Sequence, residues 1–268
     1  MMTWLLLYLA LGAVAGVLAG LLGVGGGLVI VPMLLFTFDR QGMPPEQVMH
    51  LALGTSMASI IFTSISSFMA HHRRGAVKWT IVRRMTSGIV AGTVLGSLVV
   101  SGLSTHLLKI FFALFVFIVS VQLLLDRKPR PSRGLPGLLG LSGAGGLIGF
   151  ISSLVGIGGG TLSVPFMIGC NVPVHAAIGT SAALGFPIAI SGALAYIING
   201  WSAADLPSGT LGYVYLPALV CIVAASMLTA PQGARLAHYL PVPKLKRAFA
   251  CLLLIVAARM LWGVWGSR

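Results

Sequence analysis

The groups best suited to do chemistry in this 268-residue chain are backbone amides. Two glycine runs, GVGGG at residues 23–27 and GIGGG at residues 156–160, each interrupt a long apolar stretch. Each is followed five residues on by a proline, Pro32 or Pro165. Glycine costs about 1 kcal/mol against alanine inside a helix, so three in succession predict a break. A helix that restarts at Leu28 or Thr161 directs N–H groups without intrahelical acceptors back toward that break. With the aligned peptide dipoles they make an anion site equivalent to about half a positive charge. The expected binding surface is therefore Gly25, Gly26, Gly27 and Leu28 on one side and Gly158, Gly159, Gly160 and Thr161 on the other. The competing reading is that glycine only lets helices pack closely.

Hydroxyls come next. Thr55 and Ser56 in LGTS, and Thr180 and Ser181 in IGTS, sit at matched places in apolar segments. They could donate to an anion, or bond back to their own helix. His50 and His175 each stand five residues before the threonine and could couple transport to protons or cap a helix entrance. Arg259 lies inside the last apolar segment, where a charge is costly: it either contacts an anion or reaches for the surface. The four carboxylates, Asp39, Glu46, Asp126 and Asp205, all fall in loops. That leaves no proton relay or cation ligand at membrane depth and suits an anion pathway. Cys170, Cys221 and Cys251 are scattered and suggest neither disulfides nor a metal site. No HExxH, GxSxG or paired carboxylate appears, so neither catalysis nor a cofactor is expected.

The chain that positions these groups is 57% hydrophobic and only 8% charged. Soluble domains carry about 25% charged residues. Apolar runs near the roughly 20 residues that cross a bilayer recur along its length. The expected class is an all-α polytopic membrane protein with about eight membrane segments or more. The net charge of +13 would suggest nucleic acid in a soluble protein. Here the basic residues cluster in short loops, residues 71–78, 126–134 and 233–247, which marks those loops as cytoplasmic and argues against a nucleic-acid partner. The first apolar residues lack a basic leader and run straight into the glycine break, so they read as a retained segment.

The second half repeats the first. Gly23 matches Gly156 and Pro32 matches Pro165, both 133 apart; LGTS matches IGTS at 125; Gly96 matches Gly233 at 137, and LLKIFFA then aligns with KLKRAFA. Residues 1–125 and 135–268 are the two repeats, joined by the basic linker 126–134. Matched loops carry opposite charge character. Residues 71–78 are basic while 199–209 hold no Lys or Arg, and residues 96–107 hold none while 233–247 are basic. The repeats are thus expected to be inverted, as in many secondary transporters. Inversion puts both ends of residues 4–38 outside and both ends of residues 135–169 inside. Each glycine-broken segment then reads as a re-entrant hairpin; the alternative is a strongly tilted full crossing.

Taken together, the paired GxGGG breaks with their prolines, the paired GTS motifs and the G-x-R-L-A run at residues 233–237 resemble the sulfite exporter TauE/SafE family, from about Leu18 to Trp262. The resemblance implies an inner-membrane carrier of small sulfur-containing anions, such as sulfite, thiosulfate or organosulfonates. Gly96 is followed by SLVVS instead of the arginine-bearing run, so no arginine contact carries over there. The expected partners are a small anionic substrate and the bilayer, and a homo-oligomer is compatible with the sequence. The alternatives are a carrier of a different anion and a non-transport membrane assembly factor. Reporter fusions test the orientation. A cytoplasm-active reporter should work at residue 75 and fail at residue 204, and a periplasm-active one should do the reverse.

Overall fold

The computed structural model describes residues 2–22, 26–125, 134–236 and 242–266. Gly23, Val24, Gly25 and the linker residues 126–133 lie outside the described residues. The elements in order are α1 (Met2–Leu22), α2 (Gly27–Arg40), α3 (Val48–Arg73), α4 (Trp79–Ser101), α5 (Thr105–Leu125), α6 (Leu138–Val155), α7 (Gly160–Gly169), α8 (Val174–Gly200), the strands β1 (Thr210–Leu211) and β2 (Val214–Tyr215), α9 (Leu216–Leu236) and α10 (Val242–Gly266). Among the described residues six helices, α3, α4, α5, α6, α8 and most of α9, are long and apolar enough to cross a membrane. The first half-helix starts one residue before the expected Leu28 and runs to Arg40. Tyr213 lies in the turn between β1 and β2, which pair antiparallel. Gly209 and Gly212, both at positive φ, reverse the chain there before a helix can start.

Small residues set the packing, because lipid supplies no hydrophobic drive between helices and close van der Waals approach must take its place. α4 lies along α6, with Gly88 on the Ser142 carbonyl, Gly92 on that of Gly146 and Gly96 against Ser153. α1 lies along α9 in the same way, with Gly12 on Ile222 and Gly16 on Ser226. Both pairs run parallel, and both join an element of residues 1–125 to one of residues 135–268. α3 and α8 cross the centre antiparallel: Gly54 meets Tyr196, Gly192 meets Met57 and Gly185 meets Ser64. Their Leu51, Leu53, Met57, Leu184 and Ile188 are fully buried or nearly so, whereas Leu107, Leu114, Phe117 and Ile118 of α5 face outward, where lipid would lie.

Each glycine-broken segment folds back. Tyr8 near the start of α1 and Phe38 near the end of α2 hold their rings 6.3 Å apart, with Tyr215 completing the cluster. Leu135 and Leu141 at the start of α6 share a small cavity with Asn171 just past α7 and with Lys78 and Arg84 of the basic end. The open ends of the two hairpins therefore lie at opposite ends of the bundle, and their tips point toward its middle. α7, at ten residues, spans only about 15 Å, half a bilayer core.

Gly92→Val tests the packing. A side chain there collides with the Gly146 carbonyl, so the unfolding midpoint in detergent should fall, reflecting about 1–3 kcal/mol of overpacking. The same change at Gly75, where nothing lies within 4 Å, meets only backbone strain at φ 66 and should cost about 1 kcal/mol.

Candidate functional site

The tips of the two hairpins meet. A methyl group on Gly27 would come within 2.5 Å of the Gly156 carbonyl oxygen and 3.0 Å of the Ile157 Cα. Three glycines make the turns. Gly26 (φ 72) and Gly159 (φ 75) sit in the left-handed region as the N-caps of α2 and α7, and Gly156 (φ 69) closes α6 by donating its N–H to the Ser152 carbonyl. Any side chain at these angles is strained, which is why the runs are glycine. The Gly26 carbonyl accepts from Val29 and Ile30, and the Gly159 carbonyl from Leu162 and Ser163. The N–H groups of Gly27 and Leu28, and of Gly160 and Thr161, precede these and have no intrahelical acceptor. Pro32 and Pro165 add to the break, since neither can donate to the carbonyl one turn earlier, that of Leu28 or Thr161.

The paired hydroxyls act in matched ways. Thr55 Oγ1 accepts the backbone N–H of Tyr215 at 2.9 Å, and Thr180 Oγ1 accepts that of Lys78, also at 2.9 Å. Each ties a central helix to the residue just ahead of a neighbouring one, α9 or α4. Ser56 donates to the Gly156 carbonyl at 2.8 Å, directly on the second break, and Ser163 of α7 donates to Ser181 at 2.7 Å. None of the four GTS hydroxyls makes the local back-bond. The structure thus brings Gly26, Gly27, Leu28, Ser56, Gly158, Gly159, Gly160, Thr161 and Ser181 to one central locus, with Thr55 and Thr180 as tethers behind it. Gly25 lies outside the described residues.

His50, His175 and Arg259 lie elsewhere. His50 is buried near the start of α3, its Nε2 3.0 Å from the Val100 carbonyl and its ring 5.0 Å from that of Tyr213. His175 is exposed at the opposite end, in the first turn of α8. Arg259 lies over the Phe36 ring at 5.2 Å. Arg259 and His50 line a cavity of about 1160 Å³ with Lys109, His106, Asp39 and Glu46. Lys109 pairs with Asp39 at 3.7 Å across that cavity. The two histidines that match in sequence are therefore not partners in space.

Two residues, Ser152 beside the second break and Thr93 of α4 packed against α6 and α8, are not singled out by any motif. Ser152 and Thr93 are 0% exposed, and neither hydroxyl has a hydrogen-bond partner. Thr161 Oγ1 is likewise buried and unpartnered. The signal in the sequence is faint: Ser152 stands four residues before Gly156, and Thr93 follows a glycine of the packing stripe on α4.

A multi-pass helical bundle with two glycine-broken hairpins meeting at its centre is the architecture of a membrane transport protein. The family model described as "Sulfite exporter TauE/SafE" matches residues 8–260, and the chain belongs to that family. A "Probable membrane transporter protein" of Haemophilus influenzae is 40% identical over 261 residues, covering 97% of this chain and 99% of its own. Two more proteins of that description, YunE of Bacillus subtilis and MJ0441 of Methanocaldococcus jannaschii, are each 29% identical. They cover 71% and 84% of this chain, and 77% and 81% of their own lengths. No solved structure matches the chain.

Thr55→Val and Thr180→Val each leave a backbone N–H unpaired, which should cost about 1–3 kcal/mol apiece. Thermal unfolding of the purified variants should show falls of similar size, because the two tethers are equivalent.

Proposed function

We propose that this protein is a secondary carrier of a small sulfur-containing anion, such as sulfite, thiosulfate or an organosulfonate, across the bacterial inner membrane. The observation that carries the reading is the meeting of two glycine breaks at the centre of the bundle, each followed by a half-helix whose first amides are free of intrahelical acceptors. Irregular backbone at membrane depth is tolerated only inside protein or beside a water-filled path. The substrate would be held there by the amides of residues 25–28 and 158–161, with the hydroxyls of Thr55, Ser56, Thr180 and Ser181 around it. The family supports the sulfur-anion class.

The carrier would work by alternating access between two inverted repeats, residues 1–125 and 135–268, with the basic loops in the cytoplasm. The matched packing of α1 on α9 and of α4 on α6 supports this reading, as do the equivalent tethers of Thr55 and Thr180. In a two-fold exchange of halves α1 would map onto α6 and α9 onto α4, so that one pair maps onto the other. His50 and Arg259, in the cavity at the Asp39 end, would meet the anion on its way to or from the centre, and His175 is exposed in the first turn of α8.

Uptake of labelled sulfite, thiosulfate, sulfoacetate, sulfate and chloride into proteoliposomes, with and without pH and sodium gradients, tests the proposal. At least one sulfur anion should be carried, and Gly26→Leu and Gly159→Leu should reduce its transport at least tenfold at normal expression, as expected for strain and steric closure at a left-handed glycine. Transport confined to cations, or unaffected by both substitutions, would sink it.

A further inference from the structure

The two breaks meet as a pair, yet their polar groups are not paired. Three buried hydroxyls without partners, those of Thr93, Ser152 and Thr161, belong to the second break or the helices behind it. Thr161 is the second residue of α7. Ser152 Oγ lies 3.5 Å from where a Cβ on Gly159, the N-cap of α7, would stand. Thr93 abuts Gly149, one turn before Ser152 on α6, and its methyl faces Gly192. At the repeat separation of 133 the residues of the first half that correspond to Thr161 and Ser152 are Leu28 and Ala19, both apolar; Thr93 corresponds at 137 to Ala230 of the second half, next to Thr229. Aliphatic side chains pack around both breaks, Ile60, Val31 and Leu53 at Gly27 and Gly156 and Ile188 and Ile148 at Gly159, and Ser56 donates to the Gly156 carbonyl.

Unpartnered hydroxyls in a dry interior destabilise a fold and call for an explanation. Here they stand against a helix N-terminus whose first amides are themselves free. Together these are neutral donors arranged for several oxygens of one headgroup. Fixed charge is missing from the same locus. α6, α7 and α8 contain no Lys, Arg, Asp or Glu, and α3 contains none before Arg73. The cost of desolvating an ion rises with the square of its charge, while the attraction of neutral donors rises only in proportion to it, so the same donors offset a smaller share for a dianion than for a monoanion.

We propose that the second break, with Thr93, Ser152 and Thr161 as added ligands, seats the headgroup of a singly charged oxyanion, an organosulfonate or hydrogen sulfite, and discriminates against dianions such as sulfate and thiosulfate. This deepens the sulfur-anion reading and rests on it.

The test uses the full-length protein, with methanesulfonate as the monoanion and sulfate and thiosulfate as dianions. Binding is read from the ligand-induced rise in unfolding midpoint, and transport from proteoliposome uptake. Methanesulfonate should bind and move, sulfate and thiosulfate far less. Sulfite uptake should grow as pH falls and hydrogen sulfite accumulates, with methanesulfonate uptake level over the same range. Ser152→Ala and Thr93→Val should weaken methanesulfonate about tenfold each, as for loss of a hydrogen bond to a charged group. Without ligand their midpoints should hold or rise, because a buried unpartnered hydroxyl has been removed. A lowered midpoint would show that the hydroxyls are structural, and unchanged affinity that they are not ligands; either overturns the assignment. Sulfate or thiosulfate handled as well as methanesulfonate would overturn the charge selection while leaving sulfur-anion carriage in place. If no sulfur anion binds or moves, both readings fall.

Discussion

The constraint from which the rest of this structure follows is that a backbone amide inside a membrane must have a partner. A helix meets that demand by itself, and a broken helix does not. The chain breaks twice at its centre and surrounds the breaks with protein. α3 and α8 cross beside them, Ser56 satisfies the exposed Gly156 carbonyl, and the Ser152 carbonyl takes the Gly156 amide. The amides of the first turns of α2 and α7 are left over. In water they would be ordinary helix ends; here they are the strongest donors available to a solute at that depth.

Glycine serves two distinct ends in this molecule. At Gly26, Gly156 and Gly159 it permits a left-handed turn. Along α1, α4 and α6 it permits backbone to touch backbone, as where Gly92 meets Gly146. The two uses are linked. Close packing of α4 on α6 and of α1 on α9 holds the long arm of each hairpin, so that its tip can be irregular without sliding. The tethers of Thr55 and Thr180 brace the two central helices against the same neighbours. The tightest of these packings join residues 1–125 to residues 135–268.

Much of this was legible in the residues. The two breaks, their proline spacing and the matched GTS motifs are local facts, and a helix that meets three glycines at membrane depth has few ways to continue. The fold-back of each broken segment was also foreseeable, from the charge of loops on either side. The hydroxyls were only half legible. Their place in the site followed from the repeat, but their bonding did not: a threonine in lipid usually finds its own helix, and here Thr55 and Thr180 reach the backbone of another element. His50 and His175 show the opposite failure: they match in the sequence, yet His50 is buried against the Val100 carbonyl and His175 is exposed in the first turn of α8.

By itself the sequence determined the membrane class, the family and the positions of the breaks, because each is written in composition or spacing along the chain. Only the tertiary structure decided that Gly27 touches Gly156, that α1 rests on α9, and that Thr93, Ser152 and Thr161 are left unpartnered beside one break. Those facts depend on which helix faces lie together. A hydroxyl's partner, or its lack of one, is a property of two surfaces and cannot be read from one.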